Sequence, residues 1–75
     1  MMIYFGQIPL GRRIRAARRR QRLSPKKVSA LTGIPLPMLL GLEWGFLRDI
    51  HHDHLLALCR VLRITGDELL AKPEK

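Results

Sequence analysis

An all-α domain of five short helices is the fold class this sequence predicts, and three observations carry that prediction. From residue 10 onward, apolar residues recur at the three- and four-residue spacing of a helix face. Helix starts and stops punctuate the pattern: Ser24-Pro25, Gly33, Gly45 and Thr65-Gly66-Asp67-Glu68. With 75 residues, 47% of them hydrophobic, the chain holds one small core and no second domain.

Each element follows from local chemistry. Residues 1–9 are apolar and broken by Gly6 and Pro9, which suits an N-terminal arm or a short edge strand. From Leu10 to about Arg22, Leu10, Ile14 and Ala17 form one stripe and arginines occupy the other faces. Ser24 starts the second helix, its Oγ placed to accept from the third backbone N–H, with Pro25 at the first position, where no donor is needed. Val28, Ala30 and Leu31 are expected on its inner face, and Gly33 ends it in the left-handed conformation. The third helix is expected over residues 36–44, with Pro35 and Pro37 confined to its first turn and Gly45 as its stop. Residues 46–50 read as a loop. A fourth helix runs from about His52 to Leu62, with Leu55, Leu58, Cys59 and Leu62 inward. Thr65 to Glu68 is a capping box for a last helix through about Ala71, closed by Pro73. The organisation is therefore an arm over 1–9, a helical domain over 10–71 and a tail over 72–75.

Charge dominates the composition: 14 Lys+Arg against 6 Asp+Glu give a net +8. Residues 1–42 carry nine basic side chains and no acid, whereas residues 43–75 carry five basic and six acidic ones. Such a one-sided field points to a polyanionic partner, because each neutralised phosphate releases condensed counterions. A solvated helix face, an acidic protein or an anionic membrane surface would be compatible with the same charge. The single cysteine, Cys59, excludes a disulfide framework and suits a reducing, cytoplasmic setting. No apolar run is long enough to span a bilayer, and the opening Met-Met-Ile-Tyr-Phe is not expected to act as a secretory signal.

The stretch Ser24-Pro-Lys-Lys-Val-Ser-Ala-Leu-Thr-Gly33-Ile-Pro-Leu-Pro-Met-Leu-Leu-Gly-Leu-Glu43-Trp-Gly45 reads physically as a helix-turn-helix. Ala30 is small enough for close helix approach, Gly33 makes the turn, and Ile34, Leu39 and Leu42 plug the second helix into the first. With Leu10-Gly-x-x-Ile14, Arg18, Leu23-Ser24 and residues 62–70, this pattern resembles the Cro/repressor-like (XRE-type) helix-turn-helix family over nearly all of residues 10–71. The resemblance implies a compact five-helix domain that binds double-stranded DNA as a homodimer and regulates transcription, as a repressor or otherwise, without a cofactor. It implies phosphate contacts from Arg12, Arg13, Arg15, Arg19, Arg22, Ser24, Lys26 and Lys27. It puts Leu36, Pro37, Met38 and Gly41 at the positions that face base edges, and makes Arg18 and Glu43 a structural ion pair between the first and third helices. This chain departs from the family there, since none of those four groove positions carries a side chain that hydrogen-bonds a base. Gly41 either permits close approach of another backbone or has drifted.

Leu40, Trp44, Phe46 and Leu47, together with Met38, raise a second expectation. Left outward, they mark a protein contact and make the domain an interaction adaptor; the alternative is that Trp44 and Phe46 fold back over the fourth helix as core. The segment Gly33 to Glu43 also bears a weaker likeness to the cytoplasmic helix-turn-helix domain of RodZ proteins, which binds a cytoskeletal actin and is attached to a transmembrane helix that this chain lacks. His51, His52, Asp53 and His54 have partial zinc-ligand spacing, but they sit at a helix start, where His51 takes the N-cap position and Asp53 favours the dipole. No metal is expected. Neither a nucleophile with a base nor a phosphate-binding loop is visible, so no enzyme is expected.

Overall fold

The computed structural model describes residues 1–72. Five helices pack around one core: α1 (Leu10–Arg20), α2 (Pro25–Thr32), α3 (Leu36–Glu43), α4 (His52–Leu62) and α5 (Gly66–Leu70). Two short strands, β1 (Met2–Tyr4) and β2 (Asp49–His51), form an antiparallel ribbon with Ile3 opposite Ile50.

The α1 stripe of Leu10, Ile14 and Ala17 is fully buried, and it meets Val28, Ile34, Leu39, Leu42, Leu58, Leu62 and Leu69 from the other elements. Gly11 makes the α1–α3 crossing possible. A Cβ there would clash with the Leu42 carbonyl oxygen and lie 2.8 Å from that of Glu43, so only glycine lets the two backbones touch.

Helix ends follow a common design. α3 closes on Gly45 at φ 81°, with Phe46 N–H donating to Gly41 O and Gly45 N–H to Leu42 O, a Schellman motif. α2 ends on Gly33 at φ 78°, where Gly33 N–H donates to Ser29 O. α1 uses the same device without glycine: Arg22 adopts φ 56°, Leu23 N–H donates to Arg18 O and Arg22 N–H to Arg19 O. That is why α1 stops at Arg20 rather than at Arg22. Arg63, at φ 55°, ends α4 likewise.

Three expectations need correcting. Residues 46–50 are not all loop, because Asp49–His51 pairs with the N-terminal strand and buries Ile50. The strand was concealed by its length of three residues and by the distance in sequence to its partner. On α2, Ala30 and Leu31 are exposed rather than inward. Once Val28 faces the core, helical geometry turns 29 and 32 toward the interior and 30 and 31 away. Ser29 is the small residue at the turn, and its hydroxyl donates to Ile34 O. Thr32 Oγ1 donates to Val28 O (2.7 Å) and accepts from Ile34 N–H (3.2 Å). Cys59 is only half-buried, although desolvation raises its thiol pKa. α5 ends at Leu70, with Ala71 in an extended conformation; Pro73, expected to close it, lies outside the described residues.

Candidate nucleic-acid interface

The basic half of the sequence folds into α1 and the start of α2, and the structure sorts its cations into held and free ones. Arg18 is held. Its Nε donates to Glu43 Oε2 and its Nη2 to Glu43 Oε1, both at 3.0 Å, while Nη1 donates to Leu23 O. The Glu43 side chain is only 3% exposed, so the fork satisfies a carboxylate that would otherwise be stranded in the core.

Arg13 is held as well. Its Nη1 donates to the carbonyls of Leu69 (2.9 Å), Glu68 (3.3 Å) and Ala71, placing a positive charge on the C-terminal carbonyls of α5. It therefore ties α1 to α5 through Nη1, which is committed to those carbonyls.

Arg12, Arg19 and Arg22 are exposed, as is Arg20. Arg15 is half-buried and lies over the Trp44 indole, its guanidinium carbon 5.9 Å from the ring centroid. Arg12 and Arg15 share a cleft of about 200 Å³ with Trp44, Gly45 and Arg48. Arg48 was not among the sequence-derived candidates. It follows a long apolar stretch and occupies the α3–β2 connection, where its Nη1 donates to Gly6 O at 3.0 Å. Its basic character in an otherwise apolar loop was the available signal.

At the start of α2, Ser24 Oγ accepts from Lys27 N–H at 3.1 Å, the N-cap geometry its sequence position implies. Lys26 and Lys27 are exposed at this helix end, with no acid in its first turn. Both the lysines and the positive end of the helix dipole favour an anion there.

α3 presents a different chemistry. Pro37 is exposed and Leu36 and Leu40 are half-buried, so its accessible surface holds no side-chain donor or acceptor. Met38 packs against the core and lines a cavity of about 160 Å³ with Met2, Leu42, Leu47, Ile50 and His51. Gly41 lies beneath Leu47, and a Cβ there would come within 3.0 Å of two Leu47 carbons. Of the four groove positions, Leu36 and Pro37 remain open, whereas Met38 and Gly41 serve packing of the loop that follows α3. Trp44 and Phe46 are 67% and 82% exposed and Leu47 38%, so the alternative that Trp44 and Phe46 fold over α4 as core is corrected. Both leave α3 near Gly45, which turns the chain outward.

Among the described residues no three His, Cys, Asp or Glu side chains converge on a metal-sized site. His51 and His54 meet edge to face, with ring centroids 5.2 Å apart. No helix among the described residues is long and apolar enough to cross a membrane.

No protein-family model matches the chain, and no curated protein matches it. Among solved structures it is similar to the crystal structure of the P22 c2 repressor protein in complex with synthetic operator 9T in the presence of Tl+. The likeness has a TM-score of 0.76 and 26% sequence identity, and it covers 83% of this chain and 92% of that one.

Proposed function

We propose that this chain, a Cro/repressor-type helix-turn-helix domain by its fold, binds duplex DNA as a homodimer and regulates transcription in the cytoplasm. The carrying observation is the likeness to a repressor held on operator DNA, over 83% of the chain, on a molecule whose first 42 residues contain no acid. In this reading Lys26, Lys27 and the Ser24-capped end of α2 meet one stretch of phosphate backbone. Arg12, Arg15, Arg19 and Arg22 extend that contact in varying subsets. Arg48 joins them because it shares the cleft of Arg12 and Arg15. Leu36 and Pro37 lie toward the major groove and offer apolar contact to thymine methyl groups.

One observation favours a second reading, a protein-binding adaptor on the same fold. Trp44 and Phe46 are large, apolar and exposed at the end of α3. Ionic strength separates the two readings, since phosphate binding weakens steeply with salt and an apolar interface does not. The test is a mobility-shift titration over a salt series with Lys26→Ala/Lys27→Ala. Binding should weaken about equally on all sequences, and the slope of log K against log salt should fall by roughly one to two units. An unchanged slope removes these lysines from the interface. Affinity that does not respond to salt transfers the case to the adaptor.

A further inference from the structure

We infer that the free edge of β1 is the self-association surface of this protein, pairing antiparallel with β1 of a second copy about a two-fold axis through Ile3. The inference deepens the dimeric DNA-binding reading and rests on it for its purpose, though its measurement needs no DNA.

The hydrogen-bond register fixes which groups are free. Phe5 N–H donates to Arg48 O at 2.9 Å and His52 N–H to Met1 O at 2.8 Å, while Ile3 lies opposite Ile50. Residues 1, 3 and 5 therefore face β2 with their backbone groups, the Phe5 carbonyl accepting from Ile8 N–H, and alternation turns the N–H and C=O of Met2 and Tyr4 to the other side. Among the described residues no backbone partner meets those four groups.

An open edge is ordinarily guarded by charge, by proline or by a bulge. No side chain from Met1 to Phe5 is charged, none is proline, and the register of β1 runs without a bulge. The outer edge of β2 is guarded: Asp49 and His51 flank it, and α4 begins at once at His52. Only one edge of the ribbon is thus left ready to pair. A second β1 satisfies it completely, because Met2 opposite Tyr4 of the copy, and Tyr4 opposite its Met2, form two mutually bonded pairs. The two-fold repeats the same contact and closes the sheet at four strands, with the guarded β2 edges outside. Met2 and Tyr4, 51% and 73% exposed, then supply apolar cross-strand contacts. A three-residue ribbon is marginal alone and gains from becoming the inner half of a four-stranded sheet.

The interface is small, and each copy carries +8. Pairing is therefore weak in dilute, low-salt solution and strengthens as salt screens the repulsion between copies, opposite in sign to DNA binding.

Sedimentation equilibrium of the full chain, without DNA, is the test over a range of protein and salt concentrations. The expected result is a species of twice 8.7 kDa, more abundant at high salt. Tyr4→Pro removes the edge N–H and leaves the β1–β2 hydrogen bonds in place, so it should be monomeric and melt close to the unaltered protein at dilutions where that too is monomeric, whereas Ile3→Pro breaks the ribbon itself. Amide exchange on the unaltered protein is the independent readout: Met2 and Tyr4 should slow by about tenfold or more as the dimer forms. A chain that stays monomeric at every concentration overturns the inference and leaves a foreign strand as the edge's partner. So does a dimer that survives in Tyr4→Pro, or one whose Met2 and Tyr4 amides exchange as fast as in the monomer. Self-association with no DNA binding would sink the proposed function and not this surface; DNA binding by a monomer would sink this surface and the dimer in the proposed function, and leave the DNA-binding reading standing.

Discussion

Arg18 and Arg13 stand five residues apart on one helix and look alike in the sequence, yet each has a fixed and different partner. Arg18→Ala strands the Glu43 carboxylate, at a cost of about 3 kcal/mol or more, and should lower the melting temperature by about 10 °C or more. Arg20→Ala, on an exposed residue, should change stability by less than about 0.5 kcal/mol. Equal melting of the two variants would refute the role given to the ion pair. Arg13→Ala should destabilise by about 1.5–3 kcal/mol through loss of charged hydrogen bonds to α5, while leaving the salt slope of DNA binding unchanged. A slope that falls would return Arg13 to the phosphate set. The Arg18–Glu43 pairing was legible because both partners are side chains within a family pattern. Arg13 was not, because its acceptors are main-chain carbonyls on the last helix, and a carbonyl leaves no mark in the sequence.

At the scale of the element, caps and stripes could be read and close approaches could not. Ser24, Thr65 and Gly33 act as their types and positions imply, because capping is local chemistry. The left-handed ends at Arg22 and Arg63 carry no such signature, since arginine occupies them against its own preference. Arg63→Gly should therefore stabilise the protein by about 0.5–1 kcal/mol, the relief of backbone strain less the added unfolded-state freedom. Gly11 and Gly66 make a contrasting pair. Gly11→Ala drives a methyl into the α3 backbone and should cost about 3 kcal/mol or more. Gly66→Ala meets nothing within 4 Å and should stabilise by about 0.4–1 kcal/mol. Chemical denaturation of both variants checks the pair, and shifts of the same sign would contradict the α1–α3 packing. The faces of α2 are hidden from an apolar pattern because the polar Ser29 and Thr32 turn inward beside Val28, their hydroxyls satisfied by main-chain groups, and leave Ala30 and Leu31 outside.

For the whole molecule, charge is concentrated on α1 and the start of α2, while the accessible surface of α3 offers a base no hydrogen-bonding side chain. Affinity in the proposed function then comes mainly from phosphates, and discrimination from methyl contacts and DNA shape. Selection from a random duplex pool at near-physiological salt should yield a preference below the roughly 10³-fold floor of typical specific binders. A sharp motif well above that level would show that Arg48 or the N-terminal strand reads bases. The basic asymmetry was plain in the sequence. The division of arginines into held and free ones was not, because it depends on which carbonyls and carboxylates the fold brings within reach.

The β1–β2 ribbon has a kinetic meaning. It joins residues 2–4 to residues 49–51, whereas α1, α2 and α3 meet through short connections. Chain segments near in sequence find each other first, and the long loop closes only when the helices between have shortened it. By that ordering the ribbon should assemble after the contacts among α1, α2 and α3, as should the still longer-range contact of Arg13 with α5. In stopped-flow experiments Ile50→Ala should speed unfolding and leave the refolding rate nearly unchanged, while Ile14→Val in α1 should slow refolding. On a ribosome the N-terminal strand emerges before any of its partners, and it waits unpaired until residue 51 has been made.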